Sequence, residues 1–139
     1  MIRDETKGRA RALQLLCAWE LTGTPPMPEV AMGLVRLTGP EPRVLDRAEA
    51  LAEGVVASLD AIDRLAATAA ENWRLARIAM VERNILRLGI HELLRRDPGA
   101  PPKVVIDEAV QLAHWFGGAR APAFVNGVLD RVARELGLL

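Results

Sequence analysis

The chain has 139 residues, half of them apolar and about a quarter charged. That composition builds a folded core in one domain, 1–139, without disulfides or metal, and it excludes a disordered chain. Eighteen basic residues balance eighteen acidic ones, so no global field draws the protein to nucleic acid or membrane, and such binding must come from a local patch.

The lone Cys17 cannot form an internal disulfide. No apolar run approaches the ~18 residues of a membrane span, and "MIRDETKGRAR" lacks the apolar core of a signal peptide. These features point to the cytoplasm and away from membranes.

The first predicted helix runs from about Thr6 to Thr22, with Leu13, Leu16, Cys17 and Leu21 as its apolar stripe, and "TGTPP" ends it. Its start holds Arg3, Lys7, Arg9 and Arg11 against Asp4 and Glu5, and Lys7, Arg11 and Gln14 recur at helical spacing. Such a row could follow a phosphate backbone, although many first helices begin with basic residues. A second helix is expected over Met27–Leu37.

From Val44 to Ile62 the apolar residues keep the three-and-four spacing of one continuous helix, and another is expected over Asp60–Asn72. Ile78–Arg95 forms a longer helix stopped by "DPGAPP". The next starts after Pro101 and Pro102 and closes at Gly117 and Gly118, and the last carries Val125, Val128, Leu129, Val132 and Leu136. With no alternating strand pattern, the reading is an all-α fold of about seven helices.

Two segments set local rules against long-range pattern. In "FVNGVL", Asn126-Gly127 is a hairpin signal, but a turn there would scatter the apolar face from Val125 to Leu136, so the helix reading wins. Close packing of another helix is the simplest account of Gly127, and a buried or capping role that of Asn126. On the long helix, Glu82 and Glu92 fall inside the apolar arc, while Arg83, Asn84, Arg87, His91 and Arg95 lie opposite. Glu92 suits a structural role, Glu82 a protein interface where an arginine satisfies it. The arginine row reads equally as a solvated face or a binding surface.

Catalytic chemistry finds no support. There is no phosphate loop, no metal-spaced Cys/His set and no cofactor fingerprint. His91 and His114 lack ligand spacing, Cys17 is a small core residue on its stripe, and the neighbours Asp107 and Glu108 point about 100° apart on a helix.

The pieces "ALQLLCAWE" (12–20), "NWRLARIAMVERNILRLGIHELL" (72–94), "PPKVVIDEAVQLAHWFG" (101–117) and "FVNGVLDRVARE" (124–135) together resemble the NusB family of bacterial transcription antitermination factors, in the family's order. The resemblance is weakest from Thr22 to Leu59. It implies two packed three-helix bundles with an additional helix, and no catalysed reaction. It implies binding of boxA-type single-stranded RNA together with the ribosomal protein NusE, within the RNA polymerase antitermination complex, in support of ribosomal RNA transcription.

By position, Lys7 and Arg9 match the basic cluster facing RNA, and the helical spacing of Lys7, Arg11 and Gln14 adds the last two as candidate RNA contacts. Phe124 opens the "FVNG" motif, where its ring could stack on a base, with Arg120 as a nearby charge. Glu82 matches the acidic residue on the NusE side, with Arg83 beside it.

The chain departs from the family pattern at Cys17, where a tyrosine is usual, at His91, where an aromatic is usual, and at His114, Trp115 and Ala123, where basic residues are usual. Thr6 and Gly8 interrupt the basic cluster, so weak RNA binding without the partner is expected. Two alternatives stay open. One is a protein-interaction or self-association module, including a homodimer, for which an exposed Trp115 would suit. The other is a relative of the accessory domain of the rRNA methyltransferase RsmB, although the chain ends at Leu139 with no room for a catalytic domain.

Overall fold

The computed structural model describes residues 2–71 and 75–139. The predicted helix end at Asn72 and the "NWR" of the second motif fall outside the described residues. Seven α-helices are present among the described residues, and no strand: α1 (Asp4–Leu21), α2 (Met27–Thr38), α3 (Pro42–Ala57), α4 (Leu59–Ala69), α5 (Met80–Arg95), α6 (Pro102–Phe116) and α7 (Ala121–Glu135), with a 3₁₀ turn at Leu75–Arg77. They fall into two compact units, Met1–Ala57 and Ser58–Leu139, of three and four helices.

Prolines at the first two positions of α2, α6 and α7 start those helices, where a missing N–H costs nothing. The one long helix predicted over Val44–Ile62 is two. Ser58 breaks it with φ −122° and ψ 26°, and its carbonyl accepts from the Ile62 N–H at 3.0 Å to start α4. The apolar spacing continues in phase across the break, so periodicity alone does not register it.

In the first unit α1 packs mainly on α3, and α2 touches both. The buried residues of α1 are Gly8, Arg9, Ala12, Leu13, Leu15, Leu16 and Trp19. At 100° per residue they form one arc, with Leu16 near its centre and the predicted stripe residue Leu21 on the far side, 73% exposed. The true stripe is thus displaced from the predicted one, and Cys17 sits half-buried at its margin.

In the second unit α5 is packed by α4, α6 and α7. A helix covered on three sides hides even its polar positions, so Asn84, Arg87 and Glu92 are buried with Ile85, Leu86, Leu88, Ile90 and Leu93. The supposed arginine face of α5 is therefore mostly interior at Arg87. Its guanidinium donates from Nε and Nη2 to both oxygens of Asp63 at 2.9 and 3.0 Å, and from Nη1 to Asn84 Oδ1 at 3.1 Å. Glu92 takes the expected buried position, and among the described residues no buried side-chain polar atom lacks a partner.

The glycine that admits a neighbouring helix is Gly89, where a Cβ would lie 2.7 Å from Leu129 Cδ1 of α7. Gly127 is not that glycine. It is exposed inside α7, a Cβ there would meet nothing within 4 Å, and Asn126 beside it is exposed as well. The helix reading of "FVNGVL" holds, but the packing role expected for both residues does not.

Candidate nucleic-acid and partner interface

The sequence-predicted residues divide between the two units. In the first, Lys7, Arg11 and Gln14 share the outward face of α1, opposite its buried arc. Arg11 Nη1 donates to Gln14 Oε1 at 2.9 Å. The carboxylate of Glu41, just before α3, lies 3.9 Å from Lys7 Nζ and 3.8 Å from Arg11 Nη2. It lies between the two cations and partly neutralises both.

Arg9 departs from the prediction. It is 7% exposed, because two residues along a helix from Lys7 is a turn of about 200°, which carries Arg9 into the buried arc beside Ala12 and Leu16. It is not part of the outward basic row.

The interruption at Gly8 has a structural cause. A Cβ there would lie 2.7 Å from Arg47 Cδ, so the glycine lets the Arg47 stem cross α1. Arg47 then reaches Glu5, Nη2 to Oε1 at 4.0 Å. The Glu5 carboxyl sits below its ordinary range, chiefly through its own backbone N–H at the helix start and then through Arg47, Arg3 and Arg9, with burial opposing. Arg47 thus places from α3 a cation that the α1 sequence lacks. Sequence reading missed it, and the available signal was the glycine itself, in a helical turn where alanine is the better helix former.

In the second unit, Glu82, Arg120 and Phe124 line one groove of about 320 Å³, together with Arg77, Ile78 and Ala121. Glu82 projects from the first turn of α5, and its Oε1 accepts from the Gly118 N–H at 3.1 Å, holding the loop that leads into α7. Gly117 is obligatory there, as a Cβ would sit 2.6 Å from Ala121 Cβ. Arg120 stands at the N-cap position of α7 and is exposed, and Phe124, one turn on, is half-buried. Arg83 Nη1 donates to the Ile78 carbonyl at 2.7 Å, bracing the chain entering α5.

Trp115 and Phe116, 44% and 42% exposed, meet edge to face with ring centres 6.4 Å apart at the end of α6. No cluster of three or more His, Cys, Asp or Glu able to hold a metal occurs among the described residues. No described helix is long and apolar enough to cross a membrane.

A sequence model of the NusB family matches residues 6–134. The chain belongs to the NusB family. It is 45% identical over 130 residues to the transcription antitermination protein NusB of Sorangium cellulosum (strain So ce56), covering 94% of this chain and 91% of that one. The fold matches a NusB structure from T. maritima with a TM-score of 0.83 and 31% identity, over 97% of this chain and 94% of that one. It also matches a chain from a crystal structure of the antitermination factors NusB and NusE in complex with double-stranded RNA. There the TM-score is 0.84 and the identity 27%, over 97% of this chain and 99% of that one. Family membership places the protein among non-enzymatic transcription factors.

Proposed function

We propose that the whole chain acts as one RNA-binding antitermination factor in the cytoplasm, taking boxA-type single-stranded RNA jointly with NusE in the RNA polymerase antitermination complex. The observation that carries this reading is the shared groove of Glu82, Arg120 and Phe124. Residues matched to the NusE side and to the RNA side border the same concavity, the arrangement that joint binding needs. The Phe124 ring offers a stacking platform, worth about 1–3 kcal/mol per base, and Arg120 a phosphate contact. Lys7, Arg11 and Gln14 form a second, outward polar row suited to phosphates. The solved neighbour holding NusB with NusE and RNA supports the pairing of partners.

The exposed Asn126-Gly127 pair adds weight. A mid-helix glycine costs about 1 kcal/mol relative to alanine, and among the described residues no packing explains it. A ligand approaching the α7 backbone beside Phe124 would.

The test is RNA binding with and without NusE across a salt series, comparing a boxA-like single strand, its duplex and an unrelated strand. Three phosphate contacts, from Lys7, Arg11 and Arg120, give a log–log slope near −2 on a single strand. Equal affinity for all three RNAs with NusE present, or a flat slope, refutes the assignment.

A further inference from the structure

The cations around the candidate sites differ in what holds them. Arg47, Arg87, Arg131 and Arg134 each meet a carboxylate, and Lys7 and Arg11 share Glu41. Arg77 and Arg120, both exposed, meet none among the described residues. Both line the groove that Phe124 borders, so two uncompensated guanidinium groups face one small concavity.

Arg77 stands on an anchored stretch of chain. It ends the 3₁₀ turn Leu75–Arg77, which the Ile78 N–H closes by donating to the Leu75 carbonyl at 3.2 Å. Ile78 itself is buried, and its carbonyl accepts from Arg83 Nη1 at 2.7 Å. The backbone beside Arg77 is thus fixed while the side chain is left in solvent. Arg120 is held comparably, by the turn in which the Ala121 N–H donates to the Gly118 carbonyl at 3.0 Å. The groove they border, about 320 Å³, falls at the low end of the ~300–1,000 Å³ of small-ligand sites. That is room for one base and its sugar, and too little for a helix.

We propose that this groove is a single-nucleotide subsite, in which one unpaired base lies against the Phe124 ring and the phosphates on its two sides pair with Arg77 and Arg120. Arg77 is thereby an RNA-binding residue. The inference rests on the RNA reading above and adds to it a fourth phosphate contact and a place for one base. The apolar walls from Ile78, Ala121 and Phe124 suit the face of a base, and planar guanidinium forks suit the phosphates beside it. A duplex cannot supply this ligand, because its bases are stacked on one another and must be splayed out to meet an aromatic ring. Glu82, the one carboxylate on the groove, is engaged by the Gly118 N–H, so the arginines are left to the phosphates.

Fluorescence anisotropy of the full chain with NusE tests this, on a boxA-like single strand and on strands carrying one abasic nucleotide at each position in turn. Wild type should give a salt slope near −2.8 rather than −2, at about 0.7 for each of four contacts. One abasic position should weaken binding about fivefold or more, the scale of a lost stack. Arg77 is exposed, so the fold tolerates its replacement. Arg77→Ala should lower affinity about fivefold at ~0.1 M salt and bring the slope back to near −2, while Arg77→Lys keeps the charge and the slope. In Phe124→Leu the sensitive abasic position should no longer matter. An uncharged methylphosphonate on one side of that position should weaken wild type and leave Arg77→Ala unaffected.

An unchanged slope in Arg77→Ala, with wild type still preferring the boxA-like strand, overturns the subsite and leaves the RNA reading standing. Wild type binding every RNA alike overturns both. A loss of NusE affinity in Arg77→Ala, measured without RNA, assigns Arg77 to that partner and overturns the proposal. So does displacement of the strand by free nucleoside monophosphates at about 1 mM, which assigns the groove to a small ligand instead.

Discussion

Arg87 on α5 grips Asp63 on α4 through two parallel hydrogen bonds of 2.9 and 3.0 Å, with only 10% and 25% of the two side chains exposed. The bidentate geometry fixes the approach of the two helices, and Asn84 Oδ1 takes a third guanidinium hydrogen. Removing one partner strands the other in a poorly solvated site. Arg87→Ala or Asp63→Asn should lower unfolding free energy by about 3 kcal/mol in urea titrations, with the folded protein's RNA affinity unchanged. An RNA defect at full stability would instead make Arg87 part of the binding surface.

Gly89 and Gly127 should respond oppositely to alanine. At Gly89 the new methyl runs into Leu129, itself fully buried, so a loss of about 1–3 kcal/mol is expected from overpacking. At Gly127 the methyl enters open space within a helix, and about 0.5–1 kcal/mol of stabilisation is expected. Paired thermal melts check both, and if RNA approaches the α7 backbone, Gly127→Ala weakens RNA binding while raising the melting temperature.

If Lys7 and Arg11 hold phosphates as proposed, Glu41 competes for both cations. Glu41→Gln should strengthen RNA binding about threefold, the scale of exposed ion pairs, as read by fluorescence anisotropy with NusE present. Lys7→Ala should weaken it and reduce the salt slope by about 0.7. Arg9→Ala, at a buried position, should cost stability and leave the slope alone.

On the proposed reading Glu82 has two tasks, holding Gly118 and meeting NusE, that a single truncation removes together. Its carboxylate holds Gly118 and hence the approach to Arg120, so Glu82→Ala should weaken NusE binding and, through the freed loop, RNA binding as well. Glu82→Gln keeps an acceptor oxygen for Gly118 and should spare RNA binding while still weakening NusE. Identical behaviour of the two variants would rule out the loop-holding role.

The His91 imidazole is held below its ordinary value of 6.5, first by burial and then by Arg95, with Glu92 opposing. As pH falls below that value the unfolded chain takes up a proton that the folded chain refuses. This contribution to stability is complete above about pH 7 and is lost progressively down to the lowered folded value. The melting temperature of wild type should therefore fall more between pH 7.5 and 5.5 than that of His91→Phe, which has nothing to titrate at that position.

Helix type and extent followed from the sequence wherever apolar spacing met a clear stop. Prolines 101 and 102 and glycines 117 and 118 bounded α6, and "TGTPP" ended α1, because these residues act locally on backbone dihedrals and hydrogen bonds. The motifs from "ALQLLCAWE" to "FVNGVLDRVARE" also carried the family.

Tertiary structure decided which side of each helix faces inward. Three neighbours around α5 turned an arginine face into an interior ion pair, and burial of Arg9 divided a basic cluster that looked continuous in the chain. Packing set the roles of the glycines, placing a neighbour against Gly89 and open space at Gly127. It also brought Glu41 between Lys7 and Arg11, and Glu82 to the loop before Arg120. Those pairings join residues 24 or more positions apart, and local propensity and periodicity carry no term for such contacts.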